Sequence, residues 1–294
     1  MKILITGADG QLGKELSLSF ERGYTSLGVP PIFKEENEII KADLATLDIT
    51  DRDRVMCFVK AHKPEVIINC AAFTNVNACE SERDTAYNVN AYGAENLALA
   101  SNEVDATLVH ISTDYVFSGD KGAPYTEDDI RDPINEYGKS KLLGENLVSI
   151  AKRLFIVRTS WLYGLYGSNF VKTILKKAKE SGELSVVSDQ YGTPTSAMDL
   201  AHHILLLLGT EAYGTYHASG VGVCSWYDFA KEAIRLYELD THITPCTTME
   251  YPTPARRPKY SALENRNLEG LGLNQFRDWQ DSLCAFIKEL KGKE

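Results

Sequence analysis

The sequence predicts an α/β fold, a doubly wound parallel sheet with a smaller C-terminal lobe, and three observations carry that expectation. Runs such as "EVIINC", "TLVHIS" and "LFIVRTS" are largely apolar instead of alternating, the pattern of strands buried on both faces. Amphipathic stretches separate them, so strand and helix alternate as a parallel sheet requires. The first strand, finally, breaks at a set of glycines that opens a helix.

In chain order, "KILITGADGQLGKEL" passes from a short strand through glycines into a helix, the first half of a βαβ unit. Residues 24–47 should hold the second strand, but two adjacent prolines interrupt the pattern and its register stays open. Thr50 and Asp53 stand at capping-box spacing, Val55, Met56 and Val59 follow at helical spacing, and Pro64 precedes "EVIINC". Next come a helix in "NAYGAENLALASNEV", the strand "TLVHIS", a helix in "INEYGKSKLLGENLVSIA" after Pro133, and the strand "LFIVRTS". Beyond Arg158 the alternation loosens. Residues 1–158 are therefore expected to form the nucleotide-binding domain and 159–294 mainly the second lobe, with 195–218 returning to the sheet. Ser225 and Asp228 mark another helix start before "FAKEAIRLY".

A chain of 294 residues with 44 % hydrophobic and 24 % charged residues can bury a sizeable core. Its formal charge of −10 excludes a general polyanion binder, so nucleic acid is not an expected partner, while a local anion site stays open. The longest aliphatic run, "ILLLL" at 204–208, falls far short of the roughly 20 residues of a membrane span. Met1-Lys2 runs straight into "ILITG" without a secretory pattern, which makes the cytoplasm the expected location. The six cysteines show no CxxC pair or metal-ligand spacing, so reduced, mostly buried thiols and no metal are expected. His202, His203, Trp226 and Trp279 read as packing residues.

Gly7, Gly10 and Gly13 follow a strand and open a helix. Such glycines allow a tight turn, close backbone approach to a pyrophosphate and close helix–sheet packing, and the bare N–H groups at the helix start attract the anion. In that context they indicate a Rossmann-type dinucleotide site; a bare turn is the competing reading. The acidic residue expected about 20 positions on falls in the unreadable interval. Lys14 could meet the 2′-phosphate of NADP or be a solvated helix lysine, so cofactor choice stays open. Ser112, Thr113, Asp114 and Tyr115 fall where a strand ends, the place where doubly wound sheets bind ligands. Tyr137 and Lys141, at i and i+4, share one helix face, and an adjacent ammonium should lower the phenol from its usual value of about 10.

Glycine motif, strand-end Ser/Thr and Y-x-x-x-K in this order resemble the short-chain dehydrogenase/reductase superfamily, in its extended, nucleotide-sugar-modifying branch. Within it, "STDYVF", "YGKSK", "RTSWLYG", "NFV", "DQYGTPT" and "RRPKYSAL" resemble the dTDP-4-dehydrorhamnose reductase family from residue 1 to about 265. The resemblance implies that Thr113, Tyr137 and Lys141 are catalytic, with Asp114, Tyr115 and Trp161 at the sugar. It puts Gln11 and Leu12, with the glycines, and Ala71 and Ala72 of "AAFT" along the cofactor, and Asp48 and Ile49 at the adenine. Asn169, Gln190 and Thr193 would approach the nucleotide end of the substrate, and Arg256 and Arg257, in a locally basic loop, would clamp its diphosphate. A solvated basic loop is the alternative reading.

The implied reaction is NADPH- or NADH-dependent reduction of the C4 ketone of dTDP-4-dehydro-L-rhamnose, a step toward cell-surface polysaccharide precursors. A nucleotide-sugar epimerase or dehydratase is the alternative within the fold, though Tyr115 stands where the dehydratases carry an eliminating Glu. A non-catalytic regulatory relative is the alternative outside enzymes. A monomer or homodimer is expected. Some relatives bridge a dimer through a metal held by helix glutamates; Glu15 is present, but Met198 followed by Asp199 occupies the second place.

Overall fold

The computed structural model describes residues 1–293. Its centre is a six-stranded sheet, every pair of which is parallel. The strands are β1 (Lys2–Thr6), β2 (Glu38–Ala42), β3 (Val66–Asn69), β4 (Thr107–Thr113), β5 (Leu154–Thr159) and, after four short strands described below, β10 (Gly214–His217), in the order β10-β5-β4-β3-β1-β2. The order reverses between β1 and β3, which opens a crevice at their carboxyl ends.

Both faces are covered, as the unbroken apolar runs require. On one face Ile3 and Ile5 pack with Leu12 and Leu16 of α1 (Gln11–Arg22) and with Leu200 and Ile204 of a later helix, α8 (Ala197–Leu207). On the other, Leu4, Ile67 and Leu108 pack with Val55 and Val59 of α2 (Arg52–His62) and Leu97 of α5 (Gly93–Glu103). Between α2 and α5 lie α3 (Val76–Ser81), α4 (Arg83–Tyr87) and a π turn, Asn88–Tyr92; α6 (Glu136–Val148) follows β4.

One local expectation is completed and one is corrected. The prolines of 24–47 lie upstream of β2, where Pro31 opens a 3-10 turn over Pro31–Lys34, and the strand forms after it in register with β1, Ile3 opposite Ile39. Helix α2 is capped by Asp51, whose side chain accepts from Arg54 N at 3.0 Å, and not by Thr50 with Asp53. Thr50 is drawn back into a turn, its N–H and hydroxyl both donating to Asp48 Oδ1 at 2.9 and 2.8 Å.

Beyond β5, β6 (Leu162–Tyr163) runs parallel to β9 (Thr195–Ser196), β7 (Glu183–Val187) parallel to β12 (His242–Cys246), and β8 (Tyr191–Gly192) antiparallel to β11 (Cys224–Ser225). Around them pack α7 (Phe170–Glu180), α9 (Trp226–Tyr237), α10 (Arg266–Gly270) and α11 (Trp279–Lys291). Their core is aromatic, with Tyr163, Phe229, Trp279 and Phe286 in one cluster. Helix α9 starts where expected, and Ser225 and Asp228 form a capping box there. Trp279 anchors α11 edge-on against Phe229 at 5.9 Å.

The thiols are free, but Cys79 and Cys224 alone are buried, and Cys57 and Cys284 are exposed because they sit on outer faces of α2 and α11. Among the described residues no helix is long and apolar enough to cross a membrane.

Candidate active site

A cleft of about 1060 Å³ opens at the carboxyl ends of β1, β3, β4 and β5 and continues between α7, β7 and the loop around Thr253. Its floor begins at the glycine turn. Gly7 has φ +62°, and a Cβ there would stand 2.7 Å from Ala71 N; a Cβ on Gly13 would stand 2.3 Å from Gly7 O. Gly10 is the N-cap of α1 and brings no side chain to the helix start. A cradle that side chains would fill is therefore kept empty, with bare N–H groups at its rim, and it suits a dinucleotide pyrophosphate. Leu12, Ala71 and Ala72 line the same wall.

Gln11 also touches the cleft, but its amide ties α1 to the other half of the chain: Nε2 donates to Leu162 O at 3.1 Å, and Oε1 accepts from Asn169 Nδ2 at 2.8 Å. Asn169 Nδ2 also donates to Gly164 O, and its Oδ1 caps α7 at Lys172 N, so its polar atoms are engaged inside the protein. Asn169 and Thr193 do not line the cleft, whereas Gln190 does, with Nε2 donating to the Thr248 hydroxyl at 3.0 Å. Asp48 and Ile49 lie off the cleft; Ile49 is buried against Gly93.

At the strand end, Thr113 is the last residue of β4 and Tyr137 and Lys141 project from α6. The Thr113 hydroxyl donates to Asp114 Oδ1 at 3.0 Å and accepts from Tyr115 N at 3.2 Å. Tyr137 meets Tyr115 edge-on, ring centroids 5.8 Å apart. Lys141 is buried, and its Nζ donates to Ile111 O at 2.6 Å. The expected depression of the Tyr137 phenol by Lys141 is corrected: burial pushes the phenol above its usual value, with the Thr113 hydroxyl opposing it, and the Lys141 ammonium is turned to the strand carbonyl. Burial instead draws Lys141 down to about 8.

Burial also raises Asp114 to about 7, against hydrogen bonds from Ser261 and Thr113. Its Oδ2 is buried without a hydrogen-bond partner among the described residues. Burial raises the Tyr115 phenol beside it, and the Arg257 guanidinium opposes that rise.

The two arginines of the basic loop diverge. Arg257 lines the cleft, with Nη1 donating to the Thr253 hydroxyl at 2.5 Å and Nη2 to Asn77 Oδ1 at 3.2 Å. Arg256 is exposed, does not line the cleft, and contributes its backbone carbonyl to Asn135 Nδ2 at 2.8 Å.

Sequence reasoning missed several residues here. Trp226, read as packing, stacks on Trp161 at 3.4 Å and lines the cleft. Trp161 adopts φ +45°, and Gly192 makes room for its ring, since a Cβ there would come within 2.4 Å. Asn90, in the π turn, grips both backbone groups of Phe73 and donates to the Ser140 hydroxyl, joining the "AAFT" segment to α6. Asp43, immediately after β2, lines a second recess of about 620 Å³ with Gly7, Asp9 and Gly10.

Comparison with known proteins bears on this geometry. Residues 1–291 match the family model described as the RmlD substrate binding domain. A dTDP-4-dehydrorhamnose reductase from Clostridium acetobutylicum superposes with a TM-score of 0.93 at 48 % identity, over 99 % of this chain and 100 % of its own. The dTDP-4-dehydrorhamnose reductase of Bacillus anthracis, solved in complex with NADP, does so with a TM-score of 0.91 at 45 % identity, over 98 % and 99 %. The spore coat polysaccharide biosynthesis protein SpsK of Bacillus subtilis is 43 % identical over 290 residues, 98 % of this chain and 97 % of that one. A Thermus thermophilus UDP-glucose 4-epimerase, 16 % identical with a TM-score of 0.82, shares the fold alone. With a glycine cradle, Thr113 at the end of β4 facing Tyr137 and Lys141 of α6, and a match over nearly its whole length, the chain belongs to the RmlD family, alongside the dTDP-4-dehydrorhamnose reductases.

Proposed function

We propose that the protein reduces the C4 ketone of dTDP-4-dehydro-L-rhamnose to the alcohol of dTDP-L-rhamnose, using a reduced nicotinamide dinucleotide. The observation that carries this reading is the convergence of Thr113, Tyr137 and Lys141 on the cleft that the glycine cradle also lines. When bound, the cofactor supplies the hydride. Thr113 and Tyr137 hold the ketone oxygen, and Tyr137 protonates the alkoxide as it develops. The raised phenol suits this direction, because the acid must carry its proton at neutral pH. Lys141 would hold the ribose of the bound cofactor and return the proton to Tyr137. Tyr115, standing where elimination needs a carboxylate, argues against a dehydratase.

The sugar would lie between Asp114, Tyr115 and the stacked Trp161–Trp226 pair, with Gln190 toward the nucleotide and Arg257, the arginine on the wall, at the diphosphate. Residues 1–158 with 195–218 would carry the cofactor and the rest mainly the substrate. The protein would act in the cytoplasm as a monomer or homodimer. A metal bridge through helix carboxylates finds little support, since Asp199 is held by Arg277 Nη2 and Nε at 2.5 and 3.1 Å and by the Ser282 hydroxyl at 2.9 Å.

The test is stoichiometric. Purified protein given dTDP-4-dehydro-L-rhamnose should oxidise one reduced cofactor per ketone, followed at the nicotinamide absorbance band. Product without cofactor consumption would indicate an epimerase, and cofactor binding without product a non-catalytic relative.

Asp43 favours NADH over NADPH. The Thr46 hydroxyl and amide hold its carboxyl below the usual range, Asp9 lines the same recess, and Lys14 does not. An acid at this strand end accepts the 2′-hydroxyl of NADH, whereas a 2′-phosphate would face two carboxylates. Fluorescence titration should show NADH binding more tightly than NADPH, with the preference reduced about tenfold or more in Asp43→Ser. Tighter NADPH binding by the parent protein would refute the assignment.

A further inference from the structure

The helix face that carries Lys141 continues away from the cleft into a buried ionic cluster. One turn on, the Glu145 side chain is 0 % exposed, and Arg158 is nearly as buried at 3 %. Arg158 Nε donates to one Glu145 oxygen and Nη2 to the other, each at 2.8 Å. Arg131 Nη1 adds a bond at 3.1 Å and the Ser112 hydroxyl one at 2.6 Å. The remaining Arg158 Nη1 donates to His217 Nε2 at 3.3 Å; burial and Arg158 push this imidazole down to about 3, so it is neutral and can accept. The cluster thus joins α6 to β4 through Ser112, to β5 through Arg158 and to β10 through His217, beside the strand end that bears Thr113.

Lys141 contacts a carbonyl and no carboxylate. The titratable groups that face it are Glu145 on its own helix, Cys70 just past β3, and His110 on β4. Burial pushes the Cys70 thiol up to about 12 and holds the His110 imidazole well below its usual value, so both are neutral near pH 7. Although burial works to raise Glu145, Arg158, Ser112 and Arg131 hold it below its usual value. It is the ionised group of the three.

We propose that Glu145 is a positioning residue for the reduction: it keeps the Lys141 ammonium charged and, through Ser112 and Arg158, sets α6 against the ends of β4 and β5 so that Tyr137 and Thr113 reach one substrate oxygen. The reduction itself rests on the function proposed above. The charge of Lys141 is present below its pKa of about 8 and lost above it, so kcat of the parent should fall on the alkaline side with a midpoint near that value. Removing the opposing charge in Glu145→Gln should move the midpoint about one pH unit toward acid. A purely structural role would lower kcat at every pH and leave the midpoint in place.

Glutamine leaves Arg158 buried without its carboxylate, which can impair folding, so a paired Glu145→Gln/Arg158→Met variant, without the ion pair but with similar volume, accompanies it. Both are also titrated without substrate by NMR of ¹³C-lysine-labelled protein, the Lys141 signal being assigned by its loss in Lys141→Arg. An acid-shifted Lys141 titration in either folded variant, matched by the kcat midpoint, supports the proposal, and an unmoved titration in the paired variant overturns it. A shifted titration together with a parent protein that is itself inert toward the ketone would instead refute the reductase reading.

Discussion

Tyr137→Phe is expected to lower kcat by about 10²–10⁴, the range for losing a general acid, while leaving NADH affinity and thermal stability close to those of the parent. The phenol lies beside Thr113 at the end of β4, and burial keeps it protonated at the pH of assay. Phenylalanine preserves the ring and its edge-on packing against Tyr115 and removes only the proton donor. Single-turnover kinetics would separate this loss from product release. Near-normal turnover would exclude Tyr137 as the acid and direct attention to Asp114, the other buried group able to carry a proton near neutrality, raised by burial to about 7.

The second large effect is expected one residue further along α6. A Cβ on Gly138 would stand 2.1 Å from Tyr115 O and 2.9 Å from the Pro133 side chain, so the first turn of the helix lies directly on the backbone just past the end of β4. Asn135 Oδ1 accepts from Gly138 N at 2.8 Å and holds the turn there. Gly138→Ala must therefore part α6 from Tyr115 by about an ångström. A misplacement of that size costs on the order of 10²-fold in rate, and overpacking costs about 1–3 kcal/mol in stability. Steady-state kinetics and thermal unfolding would read both, and unchanged values in each would show that this contact does not set the position of Tyr137.

The contrast between these neighbours marks how far the sequence could be read. Tyr137 and Lys141 were legible as a pair because i, i+4 spacing puts two residues on one helix face whatever else the chain does. Gly7, Gly10 and Gly13 were legible for the same local reason, and Thr113 because an apolar run that stops at polar residues marks a strand end. The parallel sheet followed from runs that were largely apolar instead of alternating. Each of these signals is written within a few consecutive residues.

The rest needed partners distant in the chain. Gly138 in "YGKSK" looks like any helix glycine until Tyr115 O is found against it. Asp43 acquires a role only once β2 pairs with β1 and brings it beside Gly7. Arg256 and Arg257 are adjacent in sequence, yet only Arg257 turns toward Asn77 and the cleft. Lys141 was expected to act on the phenol, but its ammonium is bound to Ile111 O and burial dominates both groups. By itself, then, the sequence determined the order of strands and helices and which side chains reach the cleft from the glycine turn, β4 and α6. Tertiary structure decided how closely the backbones approach, which polar groups are already engaged and which charges lose water, because distances between remote segments and the dielectric around each group exist only after the chain has packed.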